Sequence, residues 1–213
     1  MATDRYRYGV VLDLDGTLVD SVFHHVMTWA EAFREYGHEV PMWRIHAAVG
    51  MGSKRLVAWL LGEHVPEEEA ISDSHRRRFL DRAGELRPTN GAATLVDDLE
   101  GRGVSFVVAT SAGAEVREAL LATLGMKDLP TTDADDVESA KPAPDLLLAA
   151  CSQLDIEPAD AILIGDSPWD AEAGGRVGLR TIAVRCGGFA DQQLISAGAV
   201  AVVDDPRALI GWL

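Results

Sequence analysis

The stretch Tyr8-Gly9-Val10-Val11-Leu12-Asp13-Leu14 is apolar almost throughout and stops at Asp15, Gly16 and Thr17. An unbroken run of this kind predicts a strand buried on both faces, as in a parallel sheet, followed by a loop. From Ser21 to Arg87 the apolar spacing becomes helical: Val22-Phe23, Val26-Met27, Ala30 and Phe33, then Leu56-Val57 and Leu60-Leu61. Residues 67–85 are polar, with Glu67-Glu68-Glu69 and Arg76-Arg77-Arg78 among them, and no strand is predicted in this block. Beyond Pro88, strands at 104–109, 161–165, 181–184 and 199–203 alternate with helices at 114–124, 144–154 and 171–177. Such alternation implies βαβ units and an α/β fold whose parallel sheet is covered on both faces. The sheet begins with the first strand, is interrupted by an all-helical insert, and resumes near residue 90.

Ligands of such sheets bind beyond the carboxyl ends of the strands. Four segments deliver polar groups there: Asp13, Asp15, Gly16 and Thr17; Thr110 and Ser111; Lys141-Pro142; and Gly165, Asp166, Ser167 and Asp170. Asp13, Asp15, Asp166 and Asp170 converge, and four carboxylates in a low-dielectric cleft repel one another. A hard divalent cation relieves that repulsion. Oxygen ligands without His or Cys suit magnesium rather than zinc. Lys141 adds a point charge for a phosphate, Thr110 a hydroxyl donor, and Gly16 and Thr17 backbone amides. On a strand, residues two apart point the same way, so Asp13 and Asp15 share a face. One carboxylate can attack phosphorus to give an aspartyl-phosphate, while the other exchanges protons with the departing alcohol and the incoming water.

Composition narrows the partners. The chain has 213 residues and a formal net charge of -15. An acidic surface repels phosphate backbones and anionic lipid, so neither nucleic acid nor membrane is expected as a partner. No apolar run reaches the ~20 residues of a membrane span, and the first eight residues are polar, which makes the cytoplasm the expected location. A monomer or weak homodimer is expected. The two cysteines, Cys151 and Cys186, form no disulfide framework or zinc pattern.

Four segments carry a family resemblance. Asp13-Leu14-Asp15-Gly16-Thr17-Leu18-Val19-Asp20, Val107-Val108-Ala109-Thr110-Ser111, Lys141-Pro142 and Gly165-Asp166-Ser167-Pro168-Trp169-Asp170 stand in the order of the four motifs of the haloacid dehalogenase-like hydrolase superfamily. The resemblance covers essentially the whole chain. It implies a Rossmann-like three-layer core from residues 1–20 and 88–213, with an α-helical cap at 21–87. It implies Asp13 as nucleophile, Asp15 as general acid/base, and phosphate binding by Thr110, Ser111, Lys141 and Gly16. It implies magnesium held by Asp13, the backbone carbonyl of Asp15, and Asp166, with Asp170 helping directly or through water.

The dehalogenases of that superfamily lack the second aspartate, so Asp15 argues for phosphoryl chemistry. Gly165 before Asp166, where sugar-phosphate mutases commonly carry Glu, leans toward hydrolysis. The expectation is a phosphatase acting on a small phosphorylated metabolite of the phosphoglycolate or sugar phosphate type. The alternatives are a β-phosphoglucomutase-like mutase, a phosphonoacetaldehyde hydrolase using Lys54, and a non-catalytic phospho-acceptor module. In the cap, residues 43–55 are similar to the specificity loop of this cap type; Gly50 and Gly52 allow a tight backbone there, and Lys54 or Arg55 could reach a second anionic group on a substrate. The plainer reading makes Ser53 a helix N-cap and those charges solvated. His24 and His25 sit one inward and one outward on the first cap helix or line the cleft; His46 is expected to pack, and Arg76-Arg77-Arg78 to face solvent.

Overall fold

A computed structural model describes residues 8–62, 64–126, 128–132 and 144–213. In chain order its main elements are β1 (Gly9–Leu12), α1 (Val22–Glu35), α2 (Met42–Ala48), α3 (Ser53–Leu61), α4 (Glu68–Asp81), α5 (Ala92–Arg102), β2 (Ser105–Ala109), α6 (Ala114–Leu124), β3 (Thr131–Thr132), α7 (Asp145–Leu154), β4 (Ala161–Gly165), α8 (Pro168–Val177), β5 (Arg180–Val184), α9 (Asp191–Ala197) and β6 (Ala201–Val203). The strands form one parallel sheet in the order β3-β2-β1-β4-β5-β6. The chain moves outward from β1 to one side and then returns to fill the other, so β1 is the central switch point.

Alternation within the strands builds the three layers. Val10, Leu12, Val108 and Ile164 pack with Leu95 and Leu99 of α5 and Leu120 and Leu124 of α6. Val11, Val107 and Leu163 point the other way, onto Leu146, Leu147 and Ala150 of α7 and Ala173 of α8. Neighbouring side chains of a strand face opposite sides, so an all-apolar strand needs helices on both. β3, α5 and α9 are additions to the pattern expected from sequence. α8 begins at Pro168, three residues before its expected start at Ala171. Ser167 caps it, with Asp170 bonding back to the cap backbone and proline at the first position.

Between β1 and α5, helices α1 to α4 form a cluster of their own. Val26, Trp29, Phe33, Ile45, Leu56, Leu60 and Ile71 are buried in it. None of the helices described is long and apolar enough to cross a membrane.

One titratable group lies deep at the edge of this cluster. His75 of α4 is buried, stacked on Trp29 with ring centroids 3.9 Å apart. Burial pushes its pKa well below the usual 6.5, and the neighbouring His25 adds to the shift. The unfolded chain therefore takes up a proton near pH 6.5 that the folded chain refuses. The associated stability is complete above that pH and is lost as the pH falls below it. Thermal unfolding between pH 7.5 and 5.5 is expected to show this loss, at no more than about 1.4 kcal/mol per pH unit. His75→Phe should flatten the profile.

Candidate active site

Strand register sets the site. Leu12 of β1 lies level with Val108 of β2 and Ile164 of β4. Asp13, the next residue out, donates its N–H to the Ile164 carbonyl at 2.9 Å. Thr110 and Asp166 leave their strands at the same edge. Asp13, Asp166 and Asp170 are all buried, and each offers a carboxylate oxygen within 4.8 Å of the others. Thr17 Oγ1 lies 3.2 Å from both Asp13 Oδ2 and Asp166 Oδ1. Its single proton can serve one of them at a time.

The backbone is shaped around Asp166. Gly16 has φ +77°, and a Cβ there would meet the Asp166 carboxylate. A Cβ on Gly187 would run into Asp166 Oδ2 as well. Gly16 N–H donates to the Val19 carbonyl at 2.8 Å and lies 3.2 Å from Ser21 Oγ. Glycine is thus required for close approach, and its amide is bonded within the loop. Asp170 Oδ2 accepts from Ser167 N–H at 3.1 Å and from Ser167 Oγ at 2.6 Å, so one oxygen caps α8. The cluster is oxygen-only and enclosed, which suits a hard divalent cation.

The Asp15 carboxylate is held apart from that cluster. Ser21 Oγ donates to Asp15 Oδ1 at 2.8 Å, and His25 Nε2 donates to the same oxygen at 2.8 Å. His25 Nδ1 lies 3.0 Å from His75 Nε2, and the His25 ring stacks on Phe79 at 4.0 Å. His25 is the inward histidine of α1; His24 faces Glu85 at 3.8 Å. Ser21 and His75 had no role in the sequence expectation, although Ser21 directly follows the first motif.

Asp15, His25 and His75 line a cavity of about 250 Å³ between the sheet edge and the helical insertion. Trp29, Met51, Leu56 and Val116 form apolar wall; Ser53, Asp73, Arg76 and Ser111 add polar groups. Arg76 keeps a partly exposed side chain while lining this cavity. It pairs with Asp73 at 3.2 Å and with Glu115 of α6, joining insertion to core. Ser53 is not the N-cap of α3; Gly52 is. Lys54 and Arg55 are exposed and do not line the cavity. His46 packs, between Phe23 and Phe189, and donates to the Gly187 carbonyl at 2.8 Å. Thr110 is buried, its Oγ1 accepting from Ala112 N–H at 3.1 Å. Lys141 lies outside the described residues. Burial and the nearby Asp166 push the Cys186 thiol up to about 12, which keeps it an unreactive thiol. A wider groove of about 500 Å³ beside Cys151 and Asp155 holds none of these groups.

A family model for haloacid dehalogenase-like hydrolases matches residues 9–178. An N-acetylmuramic acid 6-phosphate phosphatase of Pseudomonas aeruginosa is 33% identical, across 96% of this chain and 93% of that protein. A phosphoglycolate phosphatase of Rhodospirillum rubrum is 29% identical, across 96% and 90%. The crystal structure of a hydrolase from Pseudomonas syringae superposes with a TM-score of 0.92, at 31% identity and 95% coverage of each chain. The chain belongs to the haloacid dehalogenase-like hydrolases, as an enzyme of the phosphatase kind.

Proposed function

We propose that the protein is a magnesium-dependent phosphatase that hydrolyses a small phosphorylated metabolite through a phospho-Asp13 intermediate. The observation that carries this reading is the enclosed cluster of Asp13, Asp166 and Asp170, with the Asp15 carboxylate beside it on a separate hydrogen-bonded support. Two carboxylates in different settings support two different roles.

In the first step an Asp13 oxygen attacks phosphorus, the bond to the ester oxygen breaks, and protonated Asp15 gives its proton to the departing alcohol. In the second, ionised Asp15 takes a proton from water as the water oxygen attacks phosphorus. The bond to Asp13 then breaks, inorganic phosphate leaves, and Asp15 is protonated again. Thr110, Ser111 and Lys141 are the proposed phosphate contacts. Asp13, Asp166 and the Asp15 carbonyl, with Asp170 directly or through water, would hold magnesium, which would supply positive charge for the phosphoryl oxygens and favour an ionised Asp13.

Residues 21–87 are the proposed cap, with α1, α3 and α4 supplying walls of the cavity and excluding water from the reacting phosphate. Its volume supports a small alcohol portion, and Ser53, Asp73 and Arg76 suit hydroxyl or acidic groups on it. The relatives' names point the same way: phosphate esters of N-acetylmuramic acid, of glycolate and, in a 26% identical protein of Escherichia coli, of fructose.

Hydrolysis of p-nitrophenyl phosphate with added magnesium tests the reading. Wild type is expected to turn over and to stop with a chelator. Asp13→Asn should lose at least about 10³-fold in kcat. Turnover by the Asn variant at the wild-type rate would exclude Asp13 as nucleophile. Gly187→Ala should weaken magnesium dependence into a higher concentration range, by about 10–100-fold, because the added methyl displaces Asp166. A magnesium titration reads it directly.

A further inference from the structure

Two imidazoles are stacked behind the proposed acid/base, and the reaction above uses neither. His25 donates Nε2–H to Asp15 Oδ1 at 2.8 Å, and its other nitrogen sits 3.0 Å from His75 Nε2. His25 and Ser21 both reach Oδ1, so both constrain the rotamer of the carboxylate. A neutral imidazole carries one proton. When both rings are neutral and Nε2–H of His25 faces Asp15, its Nδ1 is an acceptor, and His75 donates to it. His75 can do so only as the Nε2–H tautomer. Its ring is clamped for that purpose, face to face with Trp29 at an interplanar angle of 9°, while His25 lies on Phe79 at 6°. The chain of donors therefore runs one way: His75 to His25 to Asp15.

We propose that His75 is a positioning residue for Asp15, holding His25 in the tautomer and ring orientation that present Nε2–H to the carboxylate. This rests on the acid/base role of Asp15 in the proposed function. The consequence is selective. Expelling an alkoxide needs a proton from Asp15; expelling p-nitrophenolate, a far weaker base, does not. Because kcat/KM reports steps up to formation of phospho-Asp13, a misplaced Asp15 lowers it for alkyl phosphates and spares it for the aryl ester.

Histidine-selective ¹⁵N NMR at pH 7.5 reads the positioning itself. Wild type is expected to show His25 as a single Nε2–H tautomer. In His75→Phe, which keeps the stack on Trp29 and removes the donor, a tautomer mixture is expected. In His75→Gln, whose amide can donate, the single tautomer should be largely restored. An unchanged single tautomer in the Phe variant overturns the proposal. Kinetics read the consequence: with 2-phosphoglycolate as the alkyl ester, His75→Phe should lower kcat/KM at least about tenfold, with p-nitrophenyl phosphate changed less than about twofold. Equal losses on the two esters, or none on either, overturn it. His75→Leu takes the same measurements if the Phe variant does not fold. Wild-type inactivity toward both esters would instead sink the phosphatase reading, and the proposal with it.

Discussion

Everything at the site hangs on β1 being paired on both sides in parallel register. Leu12 is level with Val108 and Ile164, and the hydrogen bond from Asp13 N–H to Ile164 O carries the ladder one residue further. A slip of one residue would turn Val10 and Leu12 toward the α7 side and send Asp13 to the wrong face. The apolar interior penalises that slip heavily, since Val10 and Leu12 sit in one core cluster and Val11 in the other. The burial energy of three aliphatic side chains thus fixes the position of a carboxylate that contributes nothing to burial.

Crowding follows from that precision. Asp166 enters from β4, Asp170 from the first turn of α8, and Asp13 from β1, all within one small buried volume. Gly16 and Gly187 are the two places where backbone closes on Asp166, and neither has room for a methyl group. Thr17 spans Asp13 and Asp166 with a single hydroxyl. Such a site concentrates negative charge at cost to the fold. The same concentration is what makes it a strong oxygen-donor site for a divalent cation.

The sheet was legible because its strands are continuous apolar runs and its edge residues cluster in four short motifs. The 161–165 strand and the 114–124 helix coincide with β4 and α6. β3 escaped because it is two residues long, Thr131–Thr132, and pairs among the described residues with β2 alone. α9 escaped because seven residues with only Leu194 buried leave almost no apolar period. The helical insertion was legible as helices but not as chemistry. Residues 67–85 look solvated by composition, yet Ile71, His75 and Phe79, four apart, share one buried face of α4. That spacing was the available signal for His75. Charges on the other faces masked it, and nothing local says that α1 brings His25 opposite. Likewise Gly16 is recognisable as a loop glycine, while its reason, the carboxylate of Asp166 packed against it, comes from 150 residues away.

The insertion is therefore more than a wall. Asp15 belongs to the core loop, but the groups that hold its carboxylate come from the start of the insertion (Ser21) and from α1 (His25), with α4 (His75) behind them. Trp29 and Phe79 set the two imidazole rings, and both are buried side chains that join the helices to their surroundings. Packing between α1 and α4 thereby bears on where the Asp15 carboxylate sits. In the core, Asp13 follows the central strand directly, and Thr17 from the next loop reaches its carboxylate. The insertion touches the carboxylate cluster less directly, through His46 on the Gly187 carbonyl and Gly187 against Asp166. In the proposed reaction, proton transfer to the leaving group is therefore the step that depends most directly on how α1 and α4 pack.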